Sequence, residues 1–340
     1  MSLEVYPSDY STRYQIAHAI SVQETIYYNA VGKLALVVPI DDYNAEALRV
    51  GSYVYDTERD ETYLLVNVKI DTNNNRITAN GYTYNFRLNQ RTIATAYTMT
   101  NIEAGVYAVI NANLRNMGRL STATAAGLTE ATEAILYGGQ LLDTLIPILN
   151  EAGLGHKVVF NPATLSYTFK VYKGADLTTG IHAVVFSEEQ GTCSALTIND
   201  DDSTFKNVAY IKYALSDETE PVEIVGTATG DDRREIWLDT GITQSSEETI
   251  AECKSRAKYE AKTQLAKYLH RMTFNVDVDA SEIGTAYNIG DVVSCSSARF
   301  GISFNARITG IKFTLDTSGE STQLVLGDPI LTVLGGGLLG

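Results

Sequence analysis

Leu34-Ala35-Leu36-Val37-Val38-Pro39, Gly51-Ser52-Tyr53-Val54-Tyr55, Tyr63-Leu64-Leu65-Val66-Asn67-Val68-Lys69-Ile70 and Arg76-Ile77-Thr78-Ala79-Asn80-Gly81-Tyr82 follow one another in the first quarter of the chain. Each is rich in the β-branched and aromatic residues that suit a pleated, half-buried surface. The last two are joined by Asp71-Thr72-Asn73-Asn74-Asn75. Asp and Asn tolerate left-handed backbone and satisfy their own turn groups, so this pair reads as a hairpin. The run from Lys33 to Ile93 therefore encodes antiparallel strands with polar turns, and it offers no catalytic constellation.

Outward from that run, the pattern changes period. After the β unit ends near Thr98, Thr100-Asn101-Ile102-Glu103 has the Thr-x-x-Glu form of a capping box. Ile102, Val106, Val109, Ile110 and Leu114 then fall at helical spacing, which predicts a helix to about Asn116. Ser121 to Gly127 is small and polar, a linker or loop. Leu141, Leu142, Leu145, Ile146, Ile148 and Leu149 predict a short apolar helix that Pro147 should kink or interrupt. Val158-Val159-Phe160 and Tyr167 to Tyr172 flank Asn161-Pro162-Ala163-Thr164 as a second hairpin, and Ala183 to Phe186 reads as a further strand.

The last third opens with apolar runs at Phe205–Ile211 and Arg234–Leu238. Ser245-Ser246-Glu247-Glu248 has the Ser-x-x-Glu form and predicts a long helix over 246–270, with Ile250, Cys253, Ala257, Ala261, Leu265 and Tyr268 or Leu269 along one side. Strands follow at Phe274–Val278, Asp291–Ser294, Ile308–Leu315 and Gln323–Leu326, the last two turned by Asp316-Thr317-Ser318-Gly319. The expected organisation is a β domain over 1–98, a helix and linker over 99–134, a small α+β domain over 135–204, a second β domain over 205–330 and an apolar tail over 331–340. The fold class is α+β, mainly antiparallel β.

The chain has 340 residues, 44% of them hydrophobic and 20% charged, close to ordinary globular composition. No apolar stretch approaches the ~20 residues that span a bilayer. Met1-Ser2-Leu3-Glu4 opens with an acid where a secretory leader carries bases, so assembly in a cytoplasm is expected. A net charge of −15, from 41 acids against 26 bases, disfavours nonspecific attraction to phosphate or anionic lipid.

Residues with chemistry are present but dispersed. Cys193, Cys253 and Cys295 lack C-x-x-C spacing and are odd in number, against both a zinc site and a disulfide scaffold. His18, His156, His182 and His270 have no i, i+4 partner. Cys253 and His270 on one helix would stand about 25 Å apart, too far for a nucleophile and base. Gly335-Gly336-Gly337-Leu338-Leu339-Gly340 has the form G-x-G-x-x-G with no helix after it to receive a phosphate. Asn199-Asp200-Asp201-Asp202-Ser203 lacks the loop glycine and distal Glu of a calcium loop, and Asp231-Asp232 beside Arg233-Arg234 reads as a charged hairpin tip. No catalytic, cofactor or metal site is expected. The 21 tyrosines, among them Tyr27-Tyr28, Tyr53-x-Tyr55 and Tyr82-x-Tyr84, admit two readings, cross-strand packing or a protein interface.

Ala35 to Pro39, Leu48 to Tyr55, the hairpin, Ile77 to Tyr82 and Leu88-Asn89-Gln90-Arg91-Thr92-Ile93 together resemble the N-terminal pattern of siphophage tail hub proteins of the Gp37-like group. Phe169 to Asp176, Val184 to Ser187, Phe205 to Ala209 and Ile289-Gly290-Asp291-Val292-Val293 continue the resemblance in order. Such hubs are similar to the trimeric baseplate hub of contractile tails. The resemblance implies two tube-like β-barrel domains, each with an accompanying helix, flanking a smaller α+β domain. Three chains would then present six barrels to a six-fold tail tube. It further implies a virion tail-tip location, no enzymatic activity, and as partners the distal tail or tail tube protein, the tape measure protein and tip or receptor-binding proteins. The hub would connect the tail tube to the distal tip proteins and gate the DNA channel, through which DNA would pass without specific binding. The alternative is a cell-wall hydrolase or glycan-binding tip protein. Leu334, Leu338 and Leu339, beyond a glycine hinge, are the expected docking residues for a partner.

Overall fold

The computed structural model describes residues 2–268, 271–299 and 301–327, and of residues 198, 200, 271–273 and 302 the backbone alone. The chain is mainly antiparallel β with four α-helices among the described residues, α1 (Asp42–Ala47), α2 (Ile102–Asn113), α3 (Leu141–Glu151) and α4 (Ile250–Leu265). Among the described residues no helix is long and apolar enough to cross a membrane.

The hairpin that opens the sequence reading forms strands Glu61–Asp71 and Arg76–Thr83, and the Asp71 carboxylate accepts from the backbone N–H of Asn73 and Asn74. Strand Lys33–Pro39 lies beside it in strict alternation, burying Leu34, Leu36 and Val38. Those side chains join Leu3, Val5, Val54, Tyr63 and Ile77 in one apolar core. A second core, around Phe186, Phe274, Val276, Cys295, Phe313 and Leu324, lies under strands near the C-terminus.

The two cores share one ladder. Thirteen strands form a continuous sheet in which Ser21–Tyr27 pairs antiparallel with Ile302–Asp316. Among the described residues the pairing does not close this ladder into a barrel: its path ends at Tyr14–Ile16 on one side and Ala195–Asp201 on the other. The edge of Ser21–Tyr27 that would complete a closed N-terminal barrel is the edge occupied by the C-terminal strand.

Residues 97–172 build a mixed layer against the tyrosine-rich face of the first β unit. Its helices α2 and α3 pack with the hairpin Gly155–Asn161 and Ser166–Tyr172 around Val106, Leu145, Phe169 and Tyr167. A small sheet of Val208–Ala214, Val222–Val225 and Glu235–Thr243 lies under α4, which buries Cys253, Ala257 and Ala261 against Ala209, Ile211 and Leu238. Strand Ala195–Asp201, upstream of that small sheet in sequence, pairs with Arg271–Val278, downstream of it. The small sheet is thus carried between two paired strands of the large one.

Three local expectations differ in the structure. The cap of α2 is Asn101, whose side chain accepts from the Ala104 N–H at 2.9 Å, so Thr100 and Glu103 form no box. The box at α4 is Thr249 with Glu252, one turn later than Ser245 and Glu248, and the helix ends at Leu265 before a 3-10 turn over Ala266–Tyr268. Glu248 accepts from the Ser245 backbone N–H at 3.2 Å, half of the expected box, and also pairs with Arg256 at 2.8 Å, both partners largely buried. Helix α3 runs through Pro147 without interruption, since its six apolar side chains stay buried along the whole length.

Candidate functional site

The place where the two β units join gathers most of the buried polar chemistry of the chain. Across the seam Gly310 pairs with Tyr27 and Leu315 with Val22, which sets Glu24 opposite Phe313. Strand Ser21–Tyr27 alternates Val22, Glu24 and Ile26 on its inward side, so an acid occupies an apolar phase. Glu24 is fully buried.

Asp56, also fully buried, accepts from the backbone N–H of Glu58 and Arg59 and pairs with the Arg59 guanidinium at 2.6 Å. The guanidinium carbon in turn lies 4.1 Å from the centroid of the Phe313 ring. One arginine is thus paired with Asp56 and lends its charge to the neighbouring Glu24, while the cation that acts on the third buried acid, Glu61, is Lys157. Burial pushes the Glu24 carboxyl up to about 8, and the charge of Asp56 adds to it. Burial likewise pushes Glu61 up to about 8. At neutral pH both are held largely as neutral acids, which a buried seam tolerates far better than two unpaired carboxylates.

Tyr28, one residue beyond the seam strand, ties three parts of the molecule together. Its hydroxyl lies 3.0 Å from the Gly153 carbonyl and 3.1 Å from that of Tyr172, and it accepts from the Gly174 N–H at 3.2 Å. Its ring meets Tyr172 edge-on at 5.1 Å, and the Arg307 guanidinium lies over it at 5.2 Å. A Cβ at Gly155 would come within 2.2 Å of this ring and one at Gly290 within 2.3 Å, so both positions exclude any side chain. Gly155 belongs to the mixed layer and Gly290 to the C-terminal unit, and Tyr28 fills the space between them.

A cleft of about 490 Å³ opens beside this contact, lined by Arg59 and Glu61 of the first unit, His156 and Tyr172 of the mixed layer, and Ile283 and Ile311 of the C-terminal unit. Its polar wall is fixed by a relay. The Gly32 N–H donates to Thr83 Oγ1 at 2.7 Å, that hydroxyl donates to Asn85 Oδ1 at 2.7 Å, and Asn85 Nδ2 donates to His156 Nδ1 at 3.3 Å. Burial drives the His156 imidazole down to about 4, so it stays neutral, stacked at 5.7 Å on Phe169. A neutral imidazole, a neutral carboxyl and a paired arginine make a rigid junction. Among the described residues no group of three or more His, Cys, Asp and Glu is gathered as metal ligands.

Tyr53, Tyr55 and Tyr84, among the tyrosines singled out in sequence, pack inside the chain. Tyr53, Tyr55 and Tyr84 of the first unit meet Phe160 and Tyr167 of the mixed layer, with Tyr84 and Tyr167 stacked at 3.6 Å. Arg87 donates to the hydroxyls of Tyr53 and Tyr84 at 2.7 and 3.2 Å. This aromatic interface locks the mixed layer onto the sheet.

Other residues singled out in sequence are scattered. Cys193, Cys253 and Cys295 are buried free thiols, and burial pushes Cys295 up to about 12. His18 and His182 are exposed, and His270 lies outside the described residues. Asp202 pairs with Arg234 at 2.8 Å, and Asp231 and Asp232 lie in a 3-10 turn over Gly230–Asp232. Leu334, Leu338 and Leu339, with the glycines around them, lie outside the described residues. The residues that build the junction, Glu24, Tyr28, Asp56, Arg59 and His156, carried one legible signal, the acid of Glu24 in phase with Val22 and Ile26.

The sequence family described as siphovirus ReqiPepy6 Gp37-like protein matches residues 2–328. No curated protein matches the chain. Among solved structures, the prophage tail protein gp18 from Listeria monocytogenes EGD-e is similar at a TM-score of 0.55 and 14% identity, over 98% of this chain and 96% of that one. The tail protein from Neisseria meningitidis MC58 is similar at 0.57 and 12% identity, over 96% of both chains. The 43 kDa tail protein of prophage MuSo2 from Shewanella oneidensis is similar at 0.58 and 13% identity, over 96% of this chain and 98% of that one. At such identities the likeness is one of fold.

Proposed function

The chain belongs to the siphovirus ReqiPepy6 Gp37-like protein family, and from that premise we propose that it is a structural hub in the tail of a phage or phage-like particle. The observation that carries the reading is the seam: two β units from opposite ends of one chain, each with its own core, share one sheet through Ser21–Tyr27 and Ile302–Asp316. A chain that holds two such units at a fixed angle can occupy two adjacent positions on a ring. Three copies then offer six units, the number that a six-fold tail tube requires. The similar solved structures, described as tail proteins, support the same reading.

In this proposal the two β units act as tube-like domains. The mixed layer and the small sheet under α4 face the surroundings. The partners are two further copies of the chain, the tail tube or distal tail protein, the tape measure protein and tip proteins. The chain works without catalysis at the tail tip, assembled in the host cytoplasm, and its acidic balance lets DNA pass without sticking. Leu334, Leu338 and Leu339 belong to the proposal as docking residues. A chain truncated before Gly335 should melt like the full chain and assemble more weakly.

Electron microscopy of the purified chain and of intact tails, classified for symmetry, tests the hub. Rings of three copies with pseudo-six-fold symmetry on the tube side are expected; six-copy rings or isolated monomers within tails would overturn it. The competing reading, a wall hydrolase or glycan-binding tip, predicts turbidity loss or binding with purified peptidoglycan, where the hub predicts none.

A further inference from the structure

We propose that the outer face of the small sheet is a docking surface for a basic, aliphatic segment of another protein. Strand Val208–Ala214 is central, between Val222–Val225 and Glu235–Thr243. Its Ala209, Ile211 and Tyr213 point to α4 and are buried. The alternate residues Tyr210 and Lys212 face away. Tyr210 is in register with Ile224 on one side and Trp237 on the other, so the three side chains form one row across the outer face. Val222 stands in the next row, in register with Lys212. Ile224 and Trp237 are 52% and 58% exposed, and Val222 is 41% exposed. Three exposed apolar side chains, Val222, Ile224 and Trp237, stand around Tyr210, whose hydroxyl is held by Arg233 and Glu235, and a cluster of that kind, rather than one scattered leucine, marks an interaction surface.

Charge decides the occupant. Residues 205–243 hold eight acids against four bases. The cations beside the row are already engaged, Lys212 with Glu220 and Asp239, and Arg233 with Glu235. Asp231 and Asp232 at one end of the strands, and Glu218 in the turn at the other, carry no ion pair among the described residues. The row is therefore an apolar core with an acidic rim at both ends, which complements a partner presenting aliphatic side chains flanked by lysine or arginine. A second copy of this chain would set acid against acid. A glycan would leave Val222 and Ile224 without use, since neither can hydrogen-bond a sugar.

Trp237 is the only tryptophan in the chain, so its emission reports on this face alone. The probe is a labelled peptide of alternating leucine and lysine, with a leucine–glutamate peptide of equal length as control. Saturable binding with a blue shift of Trp237 emission is expected, weakened by added salt. In Ile224→Ser and Trp237→Ser chains whose melting curves match the parent, anisotropy should show at least a tenfold loss of affinity. No binding by the parent chain, equal binding by the variants, or equal binding of the glutamate peptide overturns the proposal. So do self-association that Ile224→Ser abolishes and Trp237 quenching by soluble peptidoglycan fragments without peptide binding.

Discussion

Arg59 lies with its guanidinium carbon 4.1 Å from the centroid of the Phe313 ring while its Nη1 holds Asp56 at 2.6 Å. One side chain thus neutralises a buried acid of the first β unit and caps an aromatic ring of the second. Arg59→Ala leaves Asp56 buried without a counter-ion and should cost about 3–5 kcal/mol. Phe313→Leu keeps most of the apolar volume and should cost about 1–2 kcal/mol. A double-mutant cycle read by urea unfolding should show a coupling of at least ~0.5 kcal/mol. Additive losses would mean that the contact carries no energy across the seam.

Glu24 and Glu61 give the junction a pH dependence of defined sign. Each is raised to about 8 in the folded chain, above its unfolded value, so the folded state binds more protons between the two. Stability is then fully present below about pH 4.5 as far as these two groups go, falls as pH rises towards 8, and levels off above it. Glu24→Gln keeps the shape and removes one titration, so it should flatten that fall and raise the melting temperature at pH 8 relative to the parent. A parent profile flat from pH 5 to 8 in thermal unfolding would be incompatible with buried neutral carboxyls here.

Tyr28 supplies the third test. Tyr28→Phe removes a hydroxyl shared by the Gly153 and Tyr172 carbonyls and the Gly174 N–H, and should cost about 1–3 kcal/mol. Gly290→Ala should be much worse, above about 4 kcal/mol, because φ is +99° and the new Cβ would meet the Tyr28 ring at 2.3 Å. Gly284 provides the control. Its φ of +84° imposes similar backbone strain but it has open space around it, so Gly284→Ala should cost only about 1 kcal/mol. Equal losses at the two glycines, measured by chemical denaturation, would remove Tyr28 as the pivot.

Much of the local structure was legible because its causes are local. The Asp71–Asn75 turn, the alternation of Lys33–Pro39 and the apolar stripe of α4 each follow from a few neighbouring residues. Caps slipped where two candidates compete within one turn, Thr100 against Asn101 and Ser245 against Thr249. Side-chain partners elsewhere then decided the outcome: Arg256 pairs with Glu248, and a loop takes Glu103. The seam was not legible, since a period of two says which face of Ser21–Tyr27 is buried and nothing about which distant strand lies beside it. The same limit hid the pairing of Ala195–Asp201 with Arg271–Val278 around the small sheet.

Glu103 itself yields the last prediction. It sits in the first turn of α2, where an acid in a capping box would reach back to the cap, yet it is 1% exposed and turned the other way. Its carboxylate accepts from the backbone N–H groups of Ala126, Gly127 and Leu128, at 2.6, 2.9 and 2.9 Å. Three charge-assisted bonds to consecutive amides pin a loop that otherwise consists of small residues with little to bury. Asn101 keeps the helix capped, so Glu103→Gln should leave the helix signal in circular dichroism unchanged. Glutamine carries no charge and turns an amide group toward those N–H donors, so the loop should come free. Hydrogen exchange at Ala126, Gly127 and Leu128 should accelerate at least tenfold, and limited proteolysis should cut near Gly127 while the parent resists. Fraying of the start of α2 with no change at 126–128 would instead identify Glu103 as a capping residue, against the geometry.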